Sequence, residues 1–188
     1  MYALSRWRQA VLDDDEDPDD PNRRERGERR AVGYGLPVTR ASSSATLGRG
    51  VLAGIAGTAV MTAFQKFVEM PLTGRSDSYA PADLAQRVLR VRPTTARGRS
   101  ALNYAAHFSL GTMWGAAYGV AARRGLRGQK AVNAVFAVVY PADVGVSTLL
   151  GVYAPSTWTA KDWVIDALGK YVQAQATGLV FDRVLDPD

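Results

Sequence analysis

Between Ala101 and Ala122 the chain runs for 22 residues without Asp, Glu, Lys or Arg. That stretch constrains the fold more than any other feature. A helix rises 1.5 Å per residue, so about 20 apolar residues cross the hydrocarbon core of a bilayer. Three further segments have similar length. Leu47–Val68 holds sixteen uncharged residues between Arg49 and Lys66, two long cations that can reach back to the interface. Ala131–Tyr153 is the most apolar, although Pro141 and Asp143 interrupt its middle. Trp163–Leu185 carries Asp166, Lys170, Gln173 and Gln175, and reads as a span only if other helices shelter it.

The expected fold is therefore all-α: a four-helix transmembrane bundle with spans over 47–68, 101–122, 131–153 and 163–185. Between the first two spans, Glu69–Ser100 contains three prolines and six arginines. Within it Leu84, Val88 and Val91 share one helical face, away from Arg87 and Arg90, which predicts a short amphipathic surface helix.

Residues 1–46 form a separate region. The acidic block Asp13–Asp20 is followed by Arg23, Arg24, Arg26, Arg29 and Arg30, which predicts a disordered charged tail. Met1–Leu12 carries Arg6 and Arg8 and no continuous apolar core, unlike a signal peptide. Domain organisation is thus a tail (1–46) and a membrane domain (47–188).

Cysteine is absent and His107 is the single histidine, so disulfides, thiolate metal sites and paired-imidazole sites are excluded within one chain. His107 alone could ligate a haem, but nothing supplies a second axial ligand; no cofactor or metal is expected. No phosphate loop, GxSxG or HExxH occurs, and no enzymatic activity is expected. The net charge of +5 is assigned to lipid headgroups and orientation rather than to nucleic acid. Arg greatly outnumbers Lys, which suggests a GC-rich bacterial genome, and the expected location is the bacterial cytoplasmic membrane. Arg49, Arg123, Arg124, Arg127, Lys130 and Arg183 would then face the cytoplasm with both termini. Tyr104, Tyr153, Trp158 and Trp163 would gather at the outer interface.

Two patterns predict how the helices meet. Gly50, Gly54 and Gly57 in the first span, and Gly111, Gly115 and Gly119 in the second, make flat faces that allow close backbone approach. They serve either intramolecular packing of spans one and two, the preferred reading, or homo-oligomerisation. The polar residues form stripes: Asn103 and His107 on the second span, Asn133, Tyr140, Asp143 and Ser147 on the third, Asp166, Lys170 and Gln173 on the fourth. Charges in hydrocarbon are expensive unless paired, so these stripes should converge on the bundle interior. Asp166 and Lys170, at i,i+4, can neutralise each other. Either the stripes satisfy one another and fix helix register, or they line a proton, ion or solute path, with Pro141 freeing the Ala137 carbonyl. The first is preferred, because four spans leave little room for a path.

Across Gly50–Val184, AGIAGTAVMTAFQ, HFSLGTMWGAAYG, the broken PADVG span and DALGKYVQAQATG resemble small bacterial inner-membrane proteins of the YagU type. The resemblance implies a multi-pass membrane fold and a loosely defined role in stress or acid tolerance. It supplies no catalytic residues. The expected function is that of a non-enzymatic structural, accessory or oligomer-forming membrane protein whose partners are the lipid bilayer and either further copies or a larger complex. The alternatives are a small channel or transporter and a soluble helical regulator.

Overall fold

A computed structural model of the chain describes residues 43–187. The predicted tail lies outside the described residues up to residue 42, and the first helix already begins at Ser43. The described residues are all-helical and contain no strand. Five helices follow in order: α1 (Ser43–Phe64), α2 (Ala80–Leu89), α3 (Ala96–Arg123), α4 (Gly128–Leu149) and α5 (Ala160–Val180). α1 continues through a π-helical turn, Gln65–Glu69, and a last α turn, Met70–Thr73; α5 ends in a second π-helical turn, Phe181–Leu185.

The helix ends have local causes. Thr95 caps α3 by accepting from Gly98 N–H at 3.0 Å. Thr159 and Asp162 form a reciprocal capping box at the start of α5. These bonds favour the ionised Asp162 and hold its carboxyl below the usual range. α3 stops where Gly125, at φ 83°, enters the left-handed region and its N–H reaches Ala122 O at 2.9 Å.

The four long helices pack as a ring in the order α1–α3–α4–α5, each antiparallel to its neighbours. α1 lies closest to α3. A Cβ added at Gly115 would stand 2.6 and 2.7 Å from the Gly54 backbone, and one at Gly54 would overlap the Gly111 carbonyl. Gly50 faces Gly115 and Gly119 in the same seam, whereas Gly57 turns to Thr177 and Gln173 of α5. All six predicted packing glycines are buried inside one chain. Aromatic rings fill the wider gap on the other side: Trp114, Phe136, Tyr140 and Tyr171 meet at centroid distances of 5.0–6.2 Å.

The interior is rich in small residues and holds a few large aromatic ones. Seven of the fourteen buried apolar residues are alanine, and no leucine or isoleucine among the described residues is buried. Large apolar side chains instead point outward on every long helix, among them Leu52, Met113, Val138, Leu168 and Leu179. In water-soluble folds Leu and Ile are among the residues most often inside. Two helices are long and apolar enough to span a membrane: α1 with its continuation, Ser44–Thr73, and α4. In their most apolar stretches only 28% and 17% of residues are buried.

α2 packs on α3 through small residues outside the Leu84–Val88–Val91 face. Ala82 and Ala85 are the buried residues, and Ala82 N–H donates to Asn103 Oδ1 at 3.0 Å. Val88 and Leu89 are exposed, and Val91 lies beyond the helix, which ends where Arg90 takes φ 55°. The small alanines allow closer approach than Leu84 and Val88 would.

Candidate functional site: a half-open polar cavity

Lys170, buried on the inner side of α5, is the centre of the site. Its Nζ lies 2.6 Å from Asp143 Oδ2 on α4 and 3.2 Å from Asp166 Oδ1 one turn earlier on α5. It also donates to Tyr153 Oη at 3.4 Å, and stands 5.1 and 5.6 Å from the ring centres of Tyr153 and Tyr140. Two carboxylates and two aromatic faces thus surround one ammonium, the arrangement in which a cation is held both by charge and by ring quadrupoles.

This cluster faces a cavity of about 700 Å³. The cavity is lined from the α1–α2 loop at Arg75–Tyr79, past Asn103 and His107, to the buried Trp114 and Gln173. The four helices thus enclose a cavity at one end of the bundle. His107 Nε2 and Thr62 Oγ1 hydrogen-bond at 3.1 Å across α1 and α3. Below them Gln173 donates to Thr58 Oγ1 at 3.0 Å, and Thr58 in turn donates to Gly54 O at 2.8 Å. At the mouth, Arg75 bridges Asp162 at 3.3 Å and Glu69 at 3.9 Å.

The opposite end is closed by saturated ion pairs. Asp182 accepts from Arg127 at 3.2 Å, Tyr118 Oη at 2.5 Å and Gly128 N–H at 2.8 Å. Asp186 pairs with Arg127 at 2.5 Å and with Arg49. The Arg127 guanidinium lies over the Phe181 ring, and Phe181 and Tyr118 are fully buried beneath it. Hydrogen bonding to Arg127, with a smaller contribution from Arg49, holds the Asp186 carboxyl below its usual range.

Of the predicted interior residues, the structure brings Asn103, His107, Asp143, Ser147, Asp166, Lys170 and Gln173 to the cavity. Tyr140 lies beside Lys170 but outside the residues that line the cavity. Asn133 is a correction: it is exposed near the start of α4, in a separate network with Gln129 at 2.8 Å and Tyr171 at 3.0 Å. Pro141 and Ala137 also face outward, so the carbonyl that Pro141 leaves without its usual donor does not serve the interior. Glu69 and Tyr153 are additions to the predicted set. Glu69 lies past the expected end of the first span, and the π-helical turn places it with Gln65 over Gly169 of α5. Such turns recur where a helix must re-aim side chains at a site. Among the described residues no group of three His, Cys, Asp or Glu is placed to hold a metal ion.

Compared with known proteins, the chain matches no family model, no curated protein and no solved structure.

Proposed function

We propose that this is a multi-pass membrane protein whose four long helices cross the bilayer, and that it holds a small polar solute or proton in the cavity around Lys170. One observation carries the membrane part: large aliphatic side chains point outward on every long helix, with no leucine or isoleucine buried among the described residues. Helices that meet through glycine and alanine suit lipid, where hydrophobic burial gives no reward for association and close dispersion contact must supply it. α3 and α5 are less apolar than α1 and α4, and cross because the polar faces they carry are turned inward.

The orientation we favour places Arg49, Arg123, Arg124, Arg127, Lys130 and Arg183 in the cytoplasm with both chain ends. The cavity then opens outward, beside Tyr153, Trp158 and Trp163, whose rings meet at an angle and have the amphipathic character favoured at a membrane interface. A structural or accessory role rests on the same outer surface; the cavity favours the solute-holding reading over it. The glycine seams are occupied within the chain, so an oligomer would have to use other faces. The resemblance to YagU-type proteins remains part of this proposal, and a role in acid tolerance fits a site rich in carboxylates.

The absence of cysteine makes the test direct. Single cysteines at Val138, Leu179 and Thr62 are treated in intact cells with a small, impermeant, cationic methanethiosulfonate. Labelling of Thr62→Cys alone is the expected result. Labelling of Val138→Cys and Leu179→Cys as well would remove the membrane reading, and protection of all three would remove the outward-opening cavity.

A further inference from the structure

At the end of α2, Arg87–Arg92 mixes three arginines with three apolar side chains, and all six residues are exposed. Val88, Leu89 and Val91 remain 60%, 64% and 43% exposed, uncovered by the bundle. The helix that carries them is firmly held. Ala82 and Ala85 are buried, and Ala82 N–H donates to Asn103 of α3. At its other end Arg87 donates to the Leu150 carbonyl at 2.5 Å. That carbonyl belongs to the end of α4, where the helix leaves acceptors without an intrahelical donor. With α4 spanning the bilayer, this contact sets the end of α2 level with the lipid headgroups.

Arg87, Arg90 and Arg92 line a surface cleft of about 650 Å³ together with Asp83 and Gln86. The carboxylate in this cleft is already engaged: Asp83 pairs with Arg99 at 3.0 Å and accepts from Gln86 at 3.4 Å. Glu69, Asp77 and Asp162 line the polar cavity instead. Three guanidinium charges therefore face the cleft without a counter-charge, and Arg97, in the first turn of α3, adds to the same sign. Arg90 takes φ 55°, the one positive φ among the described non-glycine residues, at a helix end where Gly or Asn is usual. Guanidinium groups match phosphate oxygens in geometry and charge. The exposed valines and leucine between them favour a lipid over a free phosphate, which has nothing to cover them. Resting on the reading of the four long helices as membrane spans, we propose that this cleft binds the headgroup of one anionic phospholipid, its phosphate among Arg87, Arg90 and Arg92 and its acyl chains beside Val88 and Leu89. Arginine on the outer side runs against the positive-inside bias, and the bound lipid supplies the charge that balances it.

The experiment is native mass spectrometry of the full chain released from micelles that contain equal amounts of phosphatidylglycerol and phosphatidylcholine with identical acyl chains. The expected result is one phosphatidylglycerol retained per chain, about fivefold or more in preference to phosphatidylcholine. That preference should fall severalfold when Arg90→Gln and Arg92→Gln are combined; both side chains are exposed, so the fold is kept. Combining Arg123→Gln with Arg124→Gln removes the same charge at the other end of α3 and should leave the preference unchanged. Equal retention of the two lipids would overturn the inference. So would equal losses from the two pairs of substitutions, which would make net charge the cause. Displacement of the lipid by glycerol 3-phosphate at matching concentration would assign the cleft to a free phosphate and overturn the lipid as its occupant. Val138→Cys labelling separates two kinds of failure: no headgroup preference in a protein whose Val138→Cys is protected overturns this inference alone, and labelling there overturns the membrane reading beneath it.

Discussion

Two clusters of charge hold this bundle together, and they are built on opposite plans. Around Arg127, two arginines face two aspartates, Asp182 receives three hydrogen bonds, and two fully buried rings close the space beneath. Around Lys170, one ammonium faces two aspartates and open volume lies beyond. A balanced, saturated cluster acts as a staple: it ties the start of α1, the start of α4 and the end of α5 at one end. The Lys170 cluster faces a cavity rather than a packed ring, and that separates it from a fastening.

The largest expected effect comes from removing Lys170. Lys170→Ala leaves two carboxylates without a cation in the interior and should cost about 3–5 kcal/mol, read as a lower unfolding midpoint in detergent. The triple variant Lys170→Met, Asp143→Asn, Asp166→Asn should recover most of that loss; no recovery would show that packing, not charge, gives Lys170 its weight. Arg127→Ala should cost less, about 1–2 kcal/mol, because about a third of that side chain still meets solvent. Its cost should shrink in high salt, whereas that of Lys170→Ala should not.

Acid should weaken the staple in a defined window. The Asp186 carboxyl is held below its unfolded value of about 3.9, so its contribution is fully present above that pH. It is lost as pH falls through the lower folded value. Asp186→Asn should therefore flatten the dependence of stability on pH below about 4. The smallest effect calibrates the rest. Nothing lies within 4 Å of a Cβ at Gly145 in α4, so Gly145→Ala should stabilise by about 0.5–1 kcal/mol and leave both clusters unchanged.

How legible each part was in the sequence follows from what periodicity encodes. Spacing fixes the angle at which a residue leaves a helix. Gly50 and Gly54 against Gly111, Gly115 and Gly119, and Lys170 against Asp166 and Asp143, could therefore be read from their stripes. Spacing carries no depth. Asn133 shares the stripe of Asp143 yet sits more than two turns nearer the start of α4, in a surface network. Nor does spacing anticipate a change of pitch: the π-helical turn at Gln65–Glu69 re-aims Glu69 and lengthens the helix beyond Val68. On α2, spacing marks Leu84, Val88 and Val91 as one apolar face but does not show that Ala82 and Ala85 approach α3. The cavity depends on how the helices splay, which no single helix encodes.

The account depends on hydrocarbon surrounding the outward side chains, and spin labelling tests that most directly. A nitroxide at Val138, on the outer side of α4, is compared in proteoliposomes with one at Lys161, in the first turn of α5. The account predicts that relaxation at Val138 is dominated by collisions with oxygen, which concentrates in lipid, and that relaxation at Lys161 is dominated by a water-soluble nickel chelate. Equal access of the nickel chelate to both positions would contradict it.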